Sequence, residues 1–355
     1  MRQTNKIRKG IAWLLCTVLV LGILPMLPQM SMQISAAENA ASVFVDGVEL
    51  HAGGKKYFKN GDTADSGATG TDEDHSAYYD TAGELWLNNL EAHTIKANGN
   101  LTIYVCNNQE TNTNIVTATQ NETAIEVTGY LTIQYGGYGE TGSLTVESDG
   151  KEAIQAGSGM TVSDGVEVKV RAKSGATAIS SGGVLKIDGI RTKLEAASDG
   201  STGKGIFAQQ SIYVKNSAVL TAFGGAAAYE SPSGIDKSGY GYEDYNVFTG
   251  DAAPGTQAAK DTALDGYKYI RIEPTGVANV KTLTELQAAA QNQYISLINV
   301  MNDITITDTV YVRRAVTIQS PDVSNVSKLI RGKSHTDVIP VSYTHLRAHE
   351  TLRHL

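Results

Sequence analysis

The acidic stretch Asp72-Glu-Asp-His75, with Asp62, Asp65 and Asp80 nearby, gathers hard oxygen ligands of the kind that hold Ca²⁺. Asp72 and Asp74 are the candidate ligands. The spacing is not that of an EF-hand loop, and the Gly-Gly-x-Gly-x-Asp nonapeptide of calcium-binding β-rolls does not occur, so the competing reading is a solvated loop with no cofactor. Trp86 sits in Leu85-Trp-Leu87 and is the one tryptophan after residue 37. If Leu85 and Leu87 point inward, strand alternation turns Trp86 outward with Glu84 and Asn88, where an indole can stack on a sugar ring. The competing reading is packing under a cap. Tyr240, Tyr242 and Tyr245 form a second aromatic cluster, a candidate carbohydrate contact or cap filling. His345 and His349, four apart, could share a helix face as metal ligands, with His354 close by. Catalytic carboxylate pairs are defined by through-space separation, so no catalytic residue is assigned from the sequence.

The two ends of the chain need separate treatment. Arg2, Lys6, Arg8 and Lys9 precede the apolar run Ile11 to Leu27, and Ser35-Ala36-Ala37 supplies small residues for cleavage. That is the pattern of a secretory signal over residues 1–37, with the mature chain starting near Glu38. No later apolar run is long enough to cross a membrane as a helix. From Val341 the chain changes residue usage and resembles translated sequencing-adapter sequence, so residues 341–355 and their histidines are expected to be a non-native tail. Without the four basic residues of the leader and the one net positive charge of the tail, the formal net charge falls from −8 to −13. Such a surface repels phosphate backbones and anionic headgroups, which argues against nucleic acid as a partner. Of the two cysteines, Cys16 leaves with the leader and Cys106 remains without a disulfide partner. In Leu101-Thr-Ile-Tyr-Val-Cys106 it reads as a small buried residue.

Stability must therefore come from a core, and repeats show how it is built. Ile95, Ile125, Ile154, Ile179 and Ile206 recur at spacings of 30, 29, 25 and 27 residues. Six residues after each comes an alternating triplet: Leu101-Thr-Ile103, Leu131-Thr-Ile133, Met160-Thr-Val162, Leu185-Lys-Ile187 and Ile212-Tyr-Val214. A further short strand follows in most repeats, as in Leu144-Thr-Val146, Val166–Val170, Leu194-Glu-Ala196 and Leu220-Thr-Ala222. Gly129, Asp149-Gly150, Asp164-Gly165, Gly182-Gly183, Asp188-Gly189 and Asp199-Gly200 lie between strands, where glycine can supply positive φ at corners. One rung of such strands cannot bury its apolar side chains alone, so the constant offset predicts stacked rungs. The fold class expected is all-β, a parallel β-solenoid of the right-handed β-helix kind; a β-sandwich is the alternative.

Caps and a second unit complete the plan. Residues 38–84 read as an N-terminal cap and polar loop, with Val43-Phe-Val45, Asp46-Gly47 and Val48-Glu-Leu50 as strand, turn and strand. Residues 85–275 are the repeat domain, closed by Tyr267–Ile272, and Pro274-Thr-Gly276 reads as a linker. Thr282-Leu-Thr-Glu285 is a capping-box pattern opening a short helix through about Gln291. Ile304-Thr-Ile306, Val310-Tyr-Val312 and Val316-Thr-Ile318 follow as strands. Residues 276–340 are thus expected to be the start of a second, truncated β-helix.

Leu85-Trp-Leu-Asn-Asn-Leu90, the repeated Leu-Thr-Ile triplets and Tyr269-Ile-Arg-Ile272 resemble carbohydrate-binding-like repeat modules of secreted clostridial and related Firmicutes proteins. Leu283-Thr-Glu-Leu286, Asn302-Asp-Ile-Thr-Ile306 and Val316-Thr-Ile-Gln319 resemble the opening of a pectate-lyase-like β-helix. Pectate-lyase-like helices include lyases, hydrolases and adhesins, so the resemblance implies an architecture and does not choose a chemistry. The expectation is a secreted or cell-surface, non-catalytic, adhesin-like protein whose partners are glycans or host-surface polymers. The alternatives are a carbohydrate-binding module, or the N-terminal part of a polysaccharide lyase or hydrolase.

Overall fold

The computed structural model describes residues 38–51, 56–72, 74–106, 113–119, 121–137, 142–312, 314–322, 324 and 326–331. Residues 1–37, expected to be a leader, residues 341–355, expected to be a non-native tail, with their histidines, and Glu73 lie outside the described residues.

The isoleucine ruler is a physical column. Ile95, Ile125, Ile154, Ile179 and Ile206 sit opposite one another on successive parallel strands, each with no exposed surface. The triplets form a second column in which Leu101, Leu131, Met160, Leu185 and Ile212 are in register. The third strand of each rung forms a third sheet, through Asn114–Ala118, Ser143–Asp149, Glu167–Lys173, Lys193–Ser198 and Val219–Gly224. Every rung therefore adds one strand to each of three parallel sheets around one core. Stacking gives each inward side chain a like neighbour above and below. Full burial of one such Leu or Ile stabilises by about 1.5–3 kcal/mol, which short strands cannot reach singly.

Corners are made in two ways. Gly150, Gly165, Gly189 and Gly200 adopt positive φ, as expected where an Asp-Gly pair turns the chain. Gly129, Gly182 and Gly183 do not. At that corner the rungs touch backbone to backbone: a β-carbon would lie 2.1 Å from Thr128 O at Gly157 and 1.9 Å from Gly157 O at Gly182. These glycines are required by close approach between rungs rather than by turn geometry.

Antiparallel strands cover two of the three sheets at the first end of the stack and one at the far end, edges that would otherwise be open to pairing with other chains. Ser42–Val45 and Val48–His51 form a hairpin through Asp46 and Gly47, both with positive φ, and lie antiparallel on Ile95–Ala97. Ala77–Tyr79 pairs antiparallel with Glu84–Asn88 and with Tyr57–Phe58. At the far end Tyr269–Val280 runs antiparallel to Val219–Gly224 and to Glu243–Gly250.

Pro274-Thr-Gly276, read as a linker, lies inside that last strand. Proline is accommodated where the pairing with Glu243–Gly250 shifts register, since it has no N–H to give the ladder. The core nevertheless changes here: Ile272 belongs to the first apolar cluster and Ala278 to a second. In the second cluster the helix Leu283–Gln291 buries Leu286, Ala289 and Ala290, and Thr282 and Glu285 form the reciprocal capping box. Tyr269–Val280, Leu297–Val300 and Thr317–Gln319 pair in parallel, as do Ile304–Ile306 and Leu329–Arg331. Val310-Tyr-Val312 is not a strand. Val310 is 8% exposed and packs into the second core from irregular chain, so its apolar spacing reports burial without a ladder. Among the described residues no helix is long and apolar enough to cross a membrane.

Candidate functional site

Leu85 and Leu87 are wholly buried, so alternation turns Trp86 to the outer face of the second sheet. Its neighbours there come from three other strands. Register places Tyr57 opposite Tyr78, Tyr78 opposite Trp86, and Trp86 opposite Tyr104 on four successive strands. The row is aromatic throughout, and Gln134 continues it on the next strand.

Two ring pairs form within the row. Tyr57 stacks on Tyr78 at 5.0 Å between centroids, with His75 at 5.1 Å from Tyr57. Trp86 stacks on Tyr104 at 4.1 Å, with planes 9° apart. A β-carbon at Gly136 would fall 2.8 Å from Tyr104 Cβ and 2.9 Å from Trp86 Cζ3. The glycine thus leaves room for the indole to lean across Tyr104. Trp86 is half-buried, with Tyr104 stacked on one face.

Polar groups brace the row. Tyr57 Oη donates to Asp72 Oδ1 at 3.0 Å, and that bond holds the phenol above its ordinary pKa. Tyr104 Oη donates to Glu84 Oε1 at 3.3 Å. Burial, then the neighbouring Asp80 charge, pushes the Glu84 carboxyl above the usual carboxylate range. Asp80 Oδ1 accepts from the backbone N–H groups of Ala82 and Glu84, at 2.8 and 2.9 Å, and so shapes the turn before Trp86.

The acidic loop is committed to protein partners. Asp72 holds Tyr57, and Asp74 forms an ion pair with Lys59. Asp62, 5% exposed, accepts from the Lys59 and Thr69 amides, each at 2.9 Å, and from the Thr69 hydroxyl. Burial raises its pKa, but those hydrogen bonds outweigh burial and hold it below the ordinary value. Among the described residues no group of three or more His, Cys, Asp or Glu side chains converges as a metal site.

The three later tyrosines belong to the closing cap and do not join Trp86. Tyr240 is 2% exposed and donates to Ala218 O, so its ring has no face to offer a sugar. It packs at 4.7 Å against Tyr245, whose other neighbours are the first core and Lys260 Nζ, 5.3 Å from its ring centre. Tyr242 packs on the second core instead. Cys106 is buried, and burial pushes its thiol pKa up.

Tyr104 was within reach of the sequence: aligning Leu85-Trp-Leu87 with Ile103-Tyr-Val105 one rung later puts the two rings side by side. Tyr57 and Tyr78 were not, because they arrive on antiparallel cap strands outside the repeat.

With this geometry in place, comparison with known proteins adds one likeness. No curated protein and no solved structure matches the chain. Residues 277–347, which include the described part of the second unit, match the family model of a pectate lyase-like adhesive domain.

Proposed function

We propose that this chain is an adhesin-like, non-catalytic protein, exported by its N-terminal signal and displayed at a cell surface, where its solenoid presents a contact face to glycans. The observation that carries the reading is the match of the second unit to a pectate lyase-like adhesive domain. The first solenoid supports it by placing Tyr57, Tyr78, Trp86 and Tyr104 in one outward row on a rigid sheet. Aromatic rings with bracing carboxylates suit the apolar faces and hydroxyl edges of sugars. A carbohydrate-binding module carried by a larger surface protein is the same reading with a narrower role.

Beads coated with the full chain should be retained under flow on wells carrying mucin, xylan or cellulose, and should release no reducing or unsaturated ends from those polymers. Failure to adhere to any of them would sink the adhesive reading, and release of polymer ends would replace it with an enzymatic one.

A further inference from the structure

Phe44 is turned outward by the same alternation that buries Val43 and Val45. It is 39% exposed, and among the described residues before Met301 no other large hydrophobic side chain is exposed. Single apolar side chains at a surface are ordinary, but this ring lines an open cleft of about 510 Å³. Small-molecule sites occupy about 300–1,000 Å³. The cleft lies where the first rung turns into the isoleucine sheet, on a different sheet from the aromatic row of Trp86.

The hairpin that carries Phe44 is locked onto that corner. Asp46 and Gly47 turn it with positive φ. Asp46 Oδ1 accepts from the His93 and Thr94 amides at 2.6 and 2.8 Å, and the Asp46 amide donates to Thr94 O at 3.0 Å. Lys96 is the cross-strand partner of Phe44, and Glu122 of the next rung lies 3.6 Å from its ammonium. That separation is longer than a hydrogen bond, and the two side chains are 42% and 48% exposed. The ammonium therefore keeps its donors and the carboxylate its acceptors. His93 Nδ1 lies 3.1 Å from Thr117 O. A carbonyl only accepts, so Nδ1 carries the proton and the neutral ring has Nε2 as an acceptor. Thr119 adds a hydroxyl to the lining.

We infer that this cleft is a carbohydrate subsite for a neutral pyranose, whose C–H face stacks on Phe44 while Lys96, Glu122 and His93 bond its hydroxyls. The inference rests on the adhesive reading and adds a site and its ligand class. An aromatic ring beside mixed donors and acceptors suits a ligand with C–H faces and an O–H edge. A sugar carboxylate is disfavoured, because Asp46, Glu122 and Glu49, the other cross-strand partner of Phe44, outnumber Lys96. A ligand ammonium would meet Glu122 already facing Lys96 and an Asp46 oxygen committed to the corner.

Calorimetric titration of the full chain with cellotetraose, xylotetraose, mannotetraose and galactotetraose tests the site. Wild type should bind at least one of them. Phe44→Ala and Phe44→Leu should each weaken that binding roughly tenfold, the second by removing the ring while keeping an apolar side chain. Lys96→Met and Glu122→Gln should each weaken it about three- to tenfold. Lys169→Met, which removes the same charge from the third sheet, should leave it unchanged. Thermal melts check that each variant is folded; if Phe44→Ala is not, Phe44→Leu and the two polar variants decide. Undiminished binding by the folded Phe44 variants would overturn the subsite and leave the adhesive reading intact. So would adhesion of wild-type beads without binding of any of the four tetrasaccharides. Tighter binding of tetragalacturonate or of the glucosamine tetramer would overturn the neutral ligand class.

Discussion

Asn292 Nδ2 donates to Glu243 Oε1 at 2.9 Å, tying the C-terminal end of the helix Leu283–Gln291 to the closing cap of the first solenoid. The other Glu243 oxygen accepts from Ser217 Oγ at 2.7 Å, so one buried carboxyl joins a rung corner, the cap and the second unit. Burial pushes the Glu243 pKa up, with the Ser217 and Asn292 bonds only partly offsetting it. A carboxyl raised in the folded state binds its proton more tightly there than in the unfolded chain. Its contribution is therefore present below the ordinary carboxylate range and lost as pH rises through the raised value.

The pH dependence follows directly. Glu243→Gln keeps the shape and removes the titration, so its Tm relative to wild type should rise between about pH 4 and pH 7. Glu243→Ala should cost about 1–3 kcal/mol at either pH, because Ser217 and Asn292 are left buried without an acceptor. Thermal melts of the three proteins across that range decide it; a constant difference between wild type and the glutamine variant would refute the raised value.

Gly157→Ala should be destabilising by about 1–3 kcal/mol, since the new methyl meets Thr128 O at 2.1 Å and backbone must move. The expected readout is a lower urea midpoint with an unchanged slope. A midpoint equal to wild type would show that the rungs are looser at this corner than their contacts indicate.

Thr282→Ala removes an acceptor for the Glu285 amide and should cost about 1 kcal/mol. Glu285 still accepts from the Lys281 and Thr282 amides, so the loss should be local. Hydrogen exchange should quicken at Glu285 and spare the first solenoid, and equal quickening in both units would contradict a local cap.

Cys106 is 9% exposed with a raised thiol pKa, so little reactive thiolate is presented. In a Cys16→Ser background, DTNB should react slowly with the native protein and at once in denaturant. Rapid labelling of the native protein would mean that the first rungs open readily.

The rung period, the in-register isoleucine column and the capping box are legible in the residue order alone. Each depends on spacing along the chain, and strand alternation or helix geometry converts spacing into side-chain direction. What spacing does not report is contact across strands remote in sequence. Tyr240, Tyr242 and Tyr245 look like one cluster because they are close in number, yet one ring is buried and the others pack on different cores. Val310-Tyr-Val312 has the alternation of a strand and its burial without its hydrogen bonds. Gly182 has the look of a turn residue and is instead a contact between rungs, which no local pattern encodes.

By itself, then, the order of residues determined that this protein stacks short strands around one core and begins a second, because a regular apolar period leaves few other ways to remove those side chains from water. The cap half of the aromatic row, Tyr57 and Tyr78, was decided by tertiary structure alone. Trp86 gains Tyr104 through the parallel rung, but Tyr57 and Tyr78 reach it through antiparallel cap strands whose pairing depends on covering an open sheet edge.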